Sequence, residues 1–283
     1  MTLDPEMEGL PDGAARLNAA CVVAAQQVAS TRPTTVCLVT PHGLTLSNTA
    51  AVYLGSDARG SAEWNGTWAK HTAHVTLHPA ARDLAAHLQS SRCQADSLYA
   101  FSRDGQLPLR WAEVVPIAFL LSLNPETAYT YLIVSFPRNQ SDETNLAFGA
   151  ALFSFLHNIL PESDRVAVVI SGDLSHAHST NEKNPIYLPD PRASLPVNDF
   201  IAQLFDSKIA EWISSGDRNV LLKEASPIID NALSCGFGAF VWLQGGFDAL
   251  SSILSFSGTV LENRHPTYFG MIVAIYNVLP IET

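Results

Sequence analysis

RVAVVISGDLSH, residues 165–176, is the stretch on which the fold turns. Its first half is β-branched and continuously apolar, the pattern of a strand buried on both faces of a parallel sheet. A short turn containing Gly172 then delivers Asp173 and His176. The same pattern stands upstream, where Thr35 to Thr40 (TVCLVT) runs straight into Pro41-His42-Gly43. Two core strands therefore each present a histidine at the carboxyl end, where open α/β sheets build their sites. Apolar spacing and turn signals predict helices over 14–29, 79–89, 144–160, 197–214 and 217–233, and further strands over 51–55, 114–121, 130–136, 252–257 and 268–277. Ser56 to Thr72, rich in Gly and Ser and carrying Trp64 and Trp68, reads as a surface loop, and Ala177 to Pro196 as a second, longer one. Strands alternating with helices predict an α/β fold, a single domain with a mostly parallel central sheet flanked by helices.

Composition narrows the functional classes. With 283 residues, 47% apolar and 15% charged, the chain can bury a sizeable core. Its net charge of −11 argues against nucleic-acid binding, which rests on Lys and Arg displacing counterions from phosphates. The longest apolar run, Val114 to Leu123, is well short of the roughly 20 residues of a membrane-spanning helix. The acidic N-terminus does not resemble a targeting segment, so a soluble protein that is not exported is expected. Cys21, Cys37, Cys93 and Cys235 form no C-x-x-C pair, which disfavours a disulfide scaffold or a zinc ribbon and fits a reducing, cytoplasmic compartment.

Several residues could carry chemistry. His42, after a buried strand, reads as a metal ligand or base, or as a turn histidine satisfied by water or backbone. Asp173, three residues before His176 on the same turn, can orient that imidazole and set its tautomer, as a general acid/base needs. His71, His74 and His78 suggest zinc if helical. On a strand, which the flanking residues favour, His74 and His78 share a face and His71 lies on the other. Cys235, before a glycine at the mouth of an apolar segment, reads as a buried thiol or a soft metal ligand. No Gly-rich phosphate loop and no G-x-S-x-G elbow occurs.

PHG at 41–43, RVAVVISGDLSH at 165–176, SCGFGAFVWLQGGFDAL at 234–250 and SFSGTVLENRHPTYFGMIVAIY at 255–276 together resemble the class III extradiol ring-cleavage dioxygenases. The likeness is to the type exemplified by the protocatechuate 4,5-dioxygenase beta chain and its Memo-like relatives. It implies an N-terminal tail over 1–13 and one domain of this type over 14–283. Members of the family open a catecholic ring beside its diol with O2, using non-haem Fe(II) held by two histidines and a glutamate. The resemblance makes His42 a metal ligand, His176 the acid/base and Asp173 its orienting partner, and it adds Cys235 as a ligand by analogy with the Memo-like members.

The chain departs from the family pattern at three places. Residues 1–13 hold no first ligand histidine, Ser234 stands where the glutamate is usual, and Trp111 replaces a substrate-side histidine. His71, His74 or Asp230 are the conceivable substitutes. The cofactor implied is Fe(II), another divalent metal, or none. The partners implied are a small aromatic, catecholic substrate and O2, in a homo- or hetero-oligomer. Two rivals remain: a degenerate, metal-free member acting as a binding or non-catalytic partner subunit, and a metal hydrolase using His42, His176 and one of His71 or His74.

Overall fold

The computed structural model describes residues 2–3, 12–64, 67–100, 105–123, 129–137, 140–179 and 197–281. The predicted loop over 177–196 falls, from 180 onward, outside them. Cα packing divides the chain into two compact units, one of residues 25–172 and 238–253, the other of residues 1–24, 173–237 and 254–283. No helix among the described residues is long and apolar enough to cross a membrane.

The first unit holds an eight-stranded sheet. Helix α1 spans Asp12–Ser30 and stops, as Pro33 requires, before β1 (Thr35–Thr40). Then come β2 (Ala50–Tyr53), β3 (Asp57–Trp64), β4 (Thr67–Leu77), α2 (Ala81–Ser90), β5 (Ala95–Leu98), β6 (Leu107–Leu109), α3 (Trp111–Leu123), β7 (Thr130–Ser135), α4 (Asp142–Asn158) and β8 (Val166–Ile170). Every residue of β1 is buried, because β7 and β8 both pair with it in parallel. Five of the seven strand pairings are parallel and two, β2 with β7 and β3 with β4, are antiparallel, so the expected mostly parallel α/β sheet is present. β8 is half-buried along its length and pairs, among the described residues, only with β1; it is an edge and not the doubly covered strand its composition suggests.

Two readings of this unit are corrected. The run 114–121, predicted as a strand, lies in helix α3. A continuously apolar run has no period to distinguish the two, and local capping decides for helix. The Glu113 carboxylate accepts the Arg110 N–H at 3.0 Å while the Arg110 carbonyl accepts the N–H groups of Glu113 and Val114. Pro116 withholds the N–H that the Ala112 carbonyl would otherwise receive, and Ser171 Oγ donates to that carbonyl instead, at 2.6 Å. The second correction concerns 56–72, predicted as a loop, which holds the β3–β4 hairpin. Its small residues pack inward, Ala58, Ala62 and Ala73 being buried. Gly60 is required because a Cβ there would fall on the Leu109 carbonyl of the parallel neighbour β6.

Helix α7 (Phe237–Leu250) packs against α4 through glycine. A Cβ on Gly149 would overlap the Trp242 carbonyl, and one on Gly245 the Leu146 carbonyl, so these two backbones touch. Beside that contact Trp242 lies parallel to Phe148, ring centroids 4.8 Å apart, and its indole N–H donates to Asn145 Oδ1 at 2.9 Å.

The second unit is built on α5 (Asp199–Ser215) and an antiparallel ribbon of β9 (Leu254–Arg264) and β10 (Met271–Pro280). Asn198 caps α5 by accepting the Ile201 N–H, and Gly216, at φ 69°, ends it in the left-handed conformation that glycine adopts without strain. The helix predicted over 217–233 is broken: a π turn (Val220–Ala225), a 3₁₀ turn (Ser226–Ile228) and a short α6 (Ile229–Ala232) follow one another. Pro227 explains the break, since it removes a backbone donor within that run.

Candidate functional site

Each predicted site residue sits on a terminus that the fold holds in place. In the second unit the segment after β8 is tied to the turn after α6. Leu233 takes a positive φ of 60°, uncommon for a bulky residue, and this closes α6 and swings Ser234 and Cys235 toward Asp173. The Asp173 carbonyl accepts both the Gly236 N–H at 3.0 Å and the Ser234 hydroxyl at 2.9 Å. The Asp173 N–H donates to Cys235 Sγ at 3.2 Å, and that sulfur lies 3.8 Å from Asp173 Oδ2. Ser234 therefore serves as a backbone latch.

His176 joins the same cluster. Its N–H donates to the Ala232 carbonyl at 2.8 Å, and Nε2 lies 3.5 Å from Asp173 Oδ2, within ionic range. Nε2 is buried and makes no hydrogen bond among the described residues, so Asp173 touches the ring electrostatically without fixing its tautomer through an aligned bond. Tyr268 and Phe269 stand edge-on to the imidazole, with centroids 6.0 and 6.1 Å away. Asp173, His176 and Cys235 are thus brought together within this unit. Asp230 is exposed in the first turn of α6.

His42 belongs to the sheet unit, on the turn that leaves β1. Its N–H donates to Thr40 Oγ1 at 3.3 Å, and its ring lies 4.7 Å from that of Trp111 at the start of α3. Trp111, which by the resemblance replaces a histidine, is therefore packed on His42. Behind the turn, Tyr53 OH accepts the Leu44 N–H at 2.6 Å and donates to Glu113 Oε1 at 3.1 Å. A Cβ on Gly43 would overlap both Glu113 Oε1 and Tyr53 OH, which is why glycine follows the histidine. Gly43→Ala is accordingly expected to destabilise the protein by about 1–3 kcal/mol, an overpacking cost that urea unfolding would measure.

Glu113 is fully buried, and burial raises its carboxyl above the ordinary value, outweighing the Arg110 and Tyr53 hydrogen bonds that lower it. A carboxyl raised on folding contributes stability that is complete below its unfolded value near 4.5 and is lost as pH rises through the folded value. Wild-type stability is expected to carry that downward component above pH 4.5, and Glu113→Gln to remove it. Urea midpoints for the two proteins across that range decide the matter; parallel profiles would contradict it.

The three histidines of 71–78 do not act together. His71 and His74 lie on β4, with His74 exposed and its Nε2 2.6 Å from Asp57 Oδ2. That hydrogen bond is the main cause holding Asp57 below its usual value. His78 falls just past the strand, so it does not share the exposed face of His74; it is buried, accepts the Ala80 N–H at Nδ1 and meets Asp164 at Nε2, 3.1 Å away. Burial pushes the Cys21 and Cys37 thiols up to about 12 and raises Cys93 as well, so these cysteines are not reactive thiols.

Asp206, His178, Tyr53 and Glu113 were not among the residues singled out in the sequence. Asp206 had a signal: it falls on the inward stripe of α5 with Ala202, Phe205, Ile209, Trp212 and Ile213, all buried. An acid on an apolar face asks for a partner.

Comparison with known proteins gives the family and the fold. No curated protein matches the chain. Among solved structures that match is an uncharacterized protein, JW3007, from Escherichia coli K12, with a TM-score of 0.54 and 12% identity over 90% of this chain and 91% of that one; it shares the fold. The family model described as the catalytic LigB subunit of aromatic ring-opening dioxygenase matches residues 16–236. By that match over most of its length, the chain belongs to the LigB family of aromatic ring-opening dioxygenase subunits.

Proposed function

We propose that residues 14–283 form a metal-dependent extradiol-type dioxygenase that opens a small catecholic ring with O2. His42 and Cys235 are its metal ligands, His176 its acid/base and Asp173 the partner of His176. The observation that carries this reading is the cluster of Asp173, His176 and Cys235 on two turns tied to each other, in a chain of the ring-opening family. The donor chemistry fits a divalent first-row ion, because imidazole and thiolate are ligands such ions accept. The Asp173 N–H donates to the Cys235 sulfur at 3.2 Å, which holds that side chain on the turn. With Ser234 engaged as a latch, the chain offers no glutamate at that place, so the set differs from the usual two histidines and a carboxylate.

Such an ion, when bound, supplies a place where diol and O2 meet and exchange electrons. The protein's own part is proton handling. His176 takes the phenolic proton, and the Asp173 carboxylate 3.5 Å away stabilises the imidazolium so formed. Tyr268 and Phe269, edge-on to His176, exclude water from the ring and favour a flat aromatic neighbour.

Anaerobic loading with Fe(II), followed by metal analysis and O2 uptake with catechol, tests the reading. Binding of one ion and catechol-dependent uptake are expected, with Cys235→Ser lowering metal affinity by about tenfold or more. Cobalt substitution gives a second readout, a thiolate-to-metal band that Cys235→Ser abolishes. A protein that binds no divalent ion and consumes no O2 would refute the proposal.

A further inference from the structure

The imidazole of His176 has no hydrogen bond at Nε2 to orient it. Beside the ring contacts with Tyr268 and Phe269, its direction depends on the turn on either side, and one carboxylate holds both sides. Asp206, buried in α5, accepts the Ser175 N–H through Oδ1 at 2.9 Å, while its Oδ2 lies 2.7 Å from Nε2 of His178. The two bonds bracket His176, one at the residue before it and one at the residue two after it. Both involve a buried charged acceptor, the kind whose geometry is best defined.

The strand-end residues before β10 complete the clamp. The Leu174 N–H donates to the Gly270 carbonyl at 2.9 Å, the Gly270 N–H to the Ser175 carbonyl at 2.7 Å, and the His178 N–H to the Tyr268 carbonyl at 3.1 Å. Gly270 is fixed by the same carboxylate, since a Cβ there would fall on Asp206 Oδ2. His265 lies flat over His178, centroids 4.0 Å apart and planes 1° from parallel, and so covers one face of the ring that Asp206 holds at its edge. A buried carboxylate is expensive to keep, and this one caps no helix and joins no strand ladder. Its side-chain bonds go to the turn that carries His176.

We propose that Asp206 is the positioning residue for His176, acting through Ser175 and His178. This rests on the reading of His176 as the acid/base of a ring-opening reaction. A group that orients the base without touching the metal or the substrate changes turnover and leaves binding alone.

The test compares wild type with Asp206→Asn, Fe(II)-loaded, by O2 uptake with catechol, metal analysis and the rate at which diethyl pyrocarbonate labels His176, read by mass spectrometry with exposed His157 as control. For Asp206→Asn, kcat is expected to fall about 100-fold, the cost of misplacing a catalytic group by about 1 Å, with KM and metal content within about twofold of wild type. His176 is expected to label about tenfold faster, with His157 unchanged. A kcat within twofold of wild type, or a loss shared by KM and metal content, overturns the proposal. Should wild type itself show no uptake, the dioxygenase reading falls and labelling alone judges the clamp: an unchanged His176 rate in Asp206→Asn then overturns it. Should that variant not fold, His178→Leu, which has no donor for Asp206 Oδ2 and so removes one of the two bonds, takes its place under the same criteria.

Discussion

His176→Gln is expected to lower catechol-dependent O2 uptake by about 10²–10⁴-fold, the range that a positioned acid/base contributes, while bound metal stays at the wild-type level. Glutamine occupies a similar volume and keeps the main-chain bond to Ala232, so the turn remains in place. What disappears is an imidazole able to take a proton beside the Asp173 carboxylate, 3.5 Å away. Asp173→Asn should reproduce part of the loss, because a neutral amide does not stabilise the imidazolium. Steady-state kinetics with metal analysis on the same samples checks this. If metal content fell together with turnover, His176 would be a ligand and the assignment of roles would be wrong.

Trp242→Ala is expected to cost about 3–5 kcal/mol of unfolding free energy. Trp242 is 1% exposed, lies parallel to the fully buried Phe148, and holds the side-chain oxygen of Asn145. Truncation would leave both a cavity and an unsatisfied amide where the backbones of α4 and α7 meet at Gly149 and Gly245. Trp242→Phe separates these causes. It retains most of the stacked area and loses the hydrogen bond, so a smaller loss of about 1–3 kcal/mol is expected from chemical denaturation. Equal losses for the two variants would show that packing contributes nothing beyond the bond.

Legibility in the sequence followed local physical signals. β1 and β7 were readable because a β-branched apolar run can only be stable when covered on both faces, and both are buried at nearly every position. α4 was readable because the polar cluster before it holds Ser141, which caps the helix from its own side chain. The hairpin over 57–77 was missed because Ala, Gly and Ser signal loops, and their reason for being small, the approach of the β6 backbone at Gly60, lies some 50 residues further along the chain. α3 was missed because an apolar run carries no period, and the Glu113 bond to Arg110 that starts it reads as an ordinary acid in the sequence.

By itself the sequence determined the class of fold and the family, and it singled out the residues for which acid/base and ligand roles are proposed, since each is written in residues close together: a strand, a turn, an acid and an imidazole three positions apart. Only the tertiary structure decided what those groups are attached to. It turned Ser234 into a latch on Asp173, set Trp111 against His42, and placed Asp206, 30 residues past His176, beneath the turn that carries it. Hydrogen bonds and van der Waals contacts act over a few ångströms of space whatever the separation along the chain, so partners distant in sequence become visible only once the chain is folded.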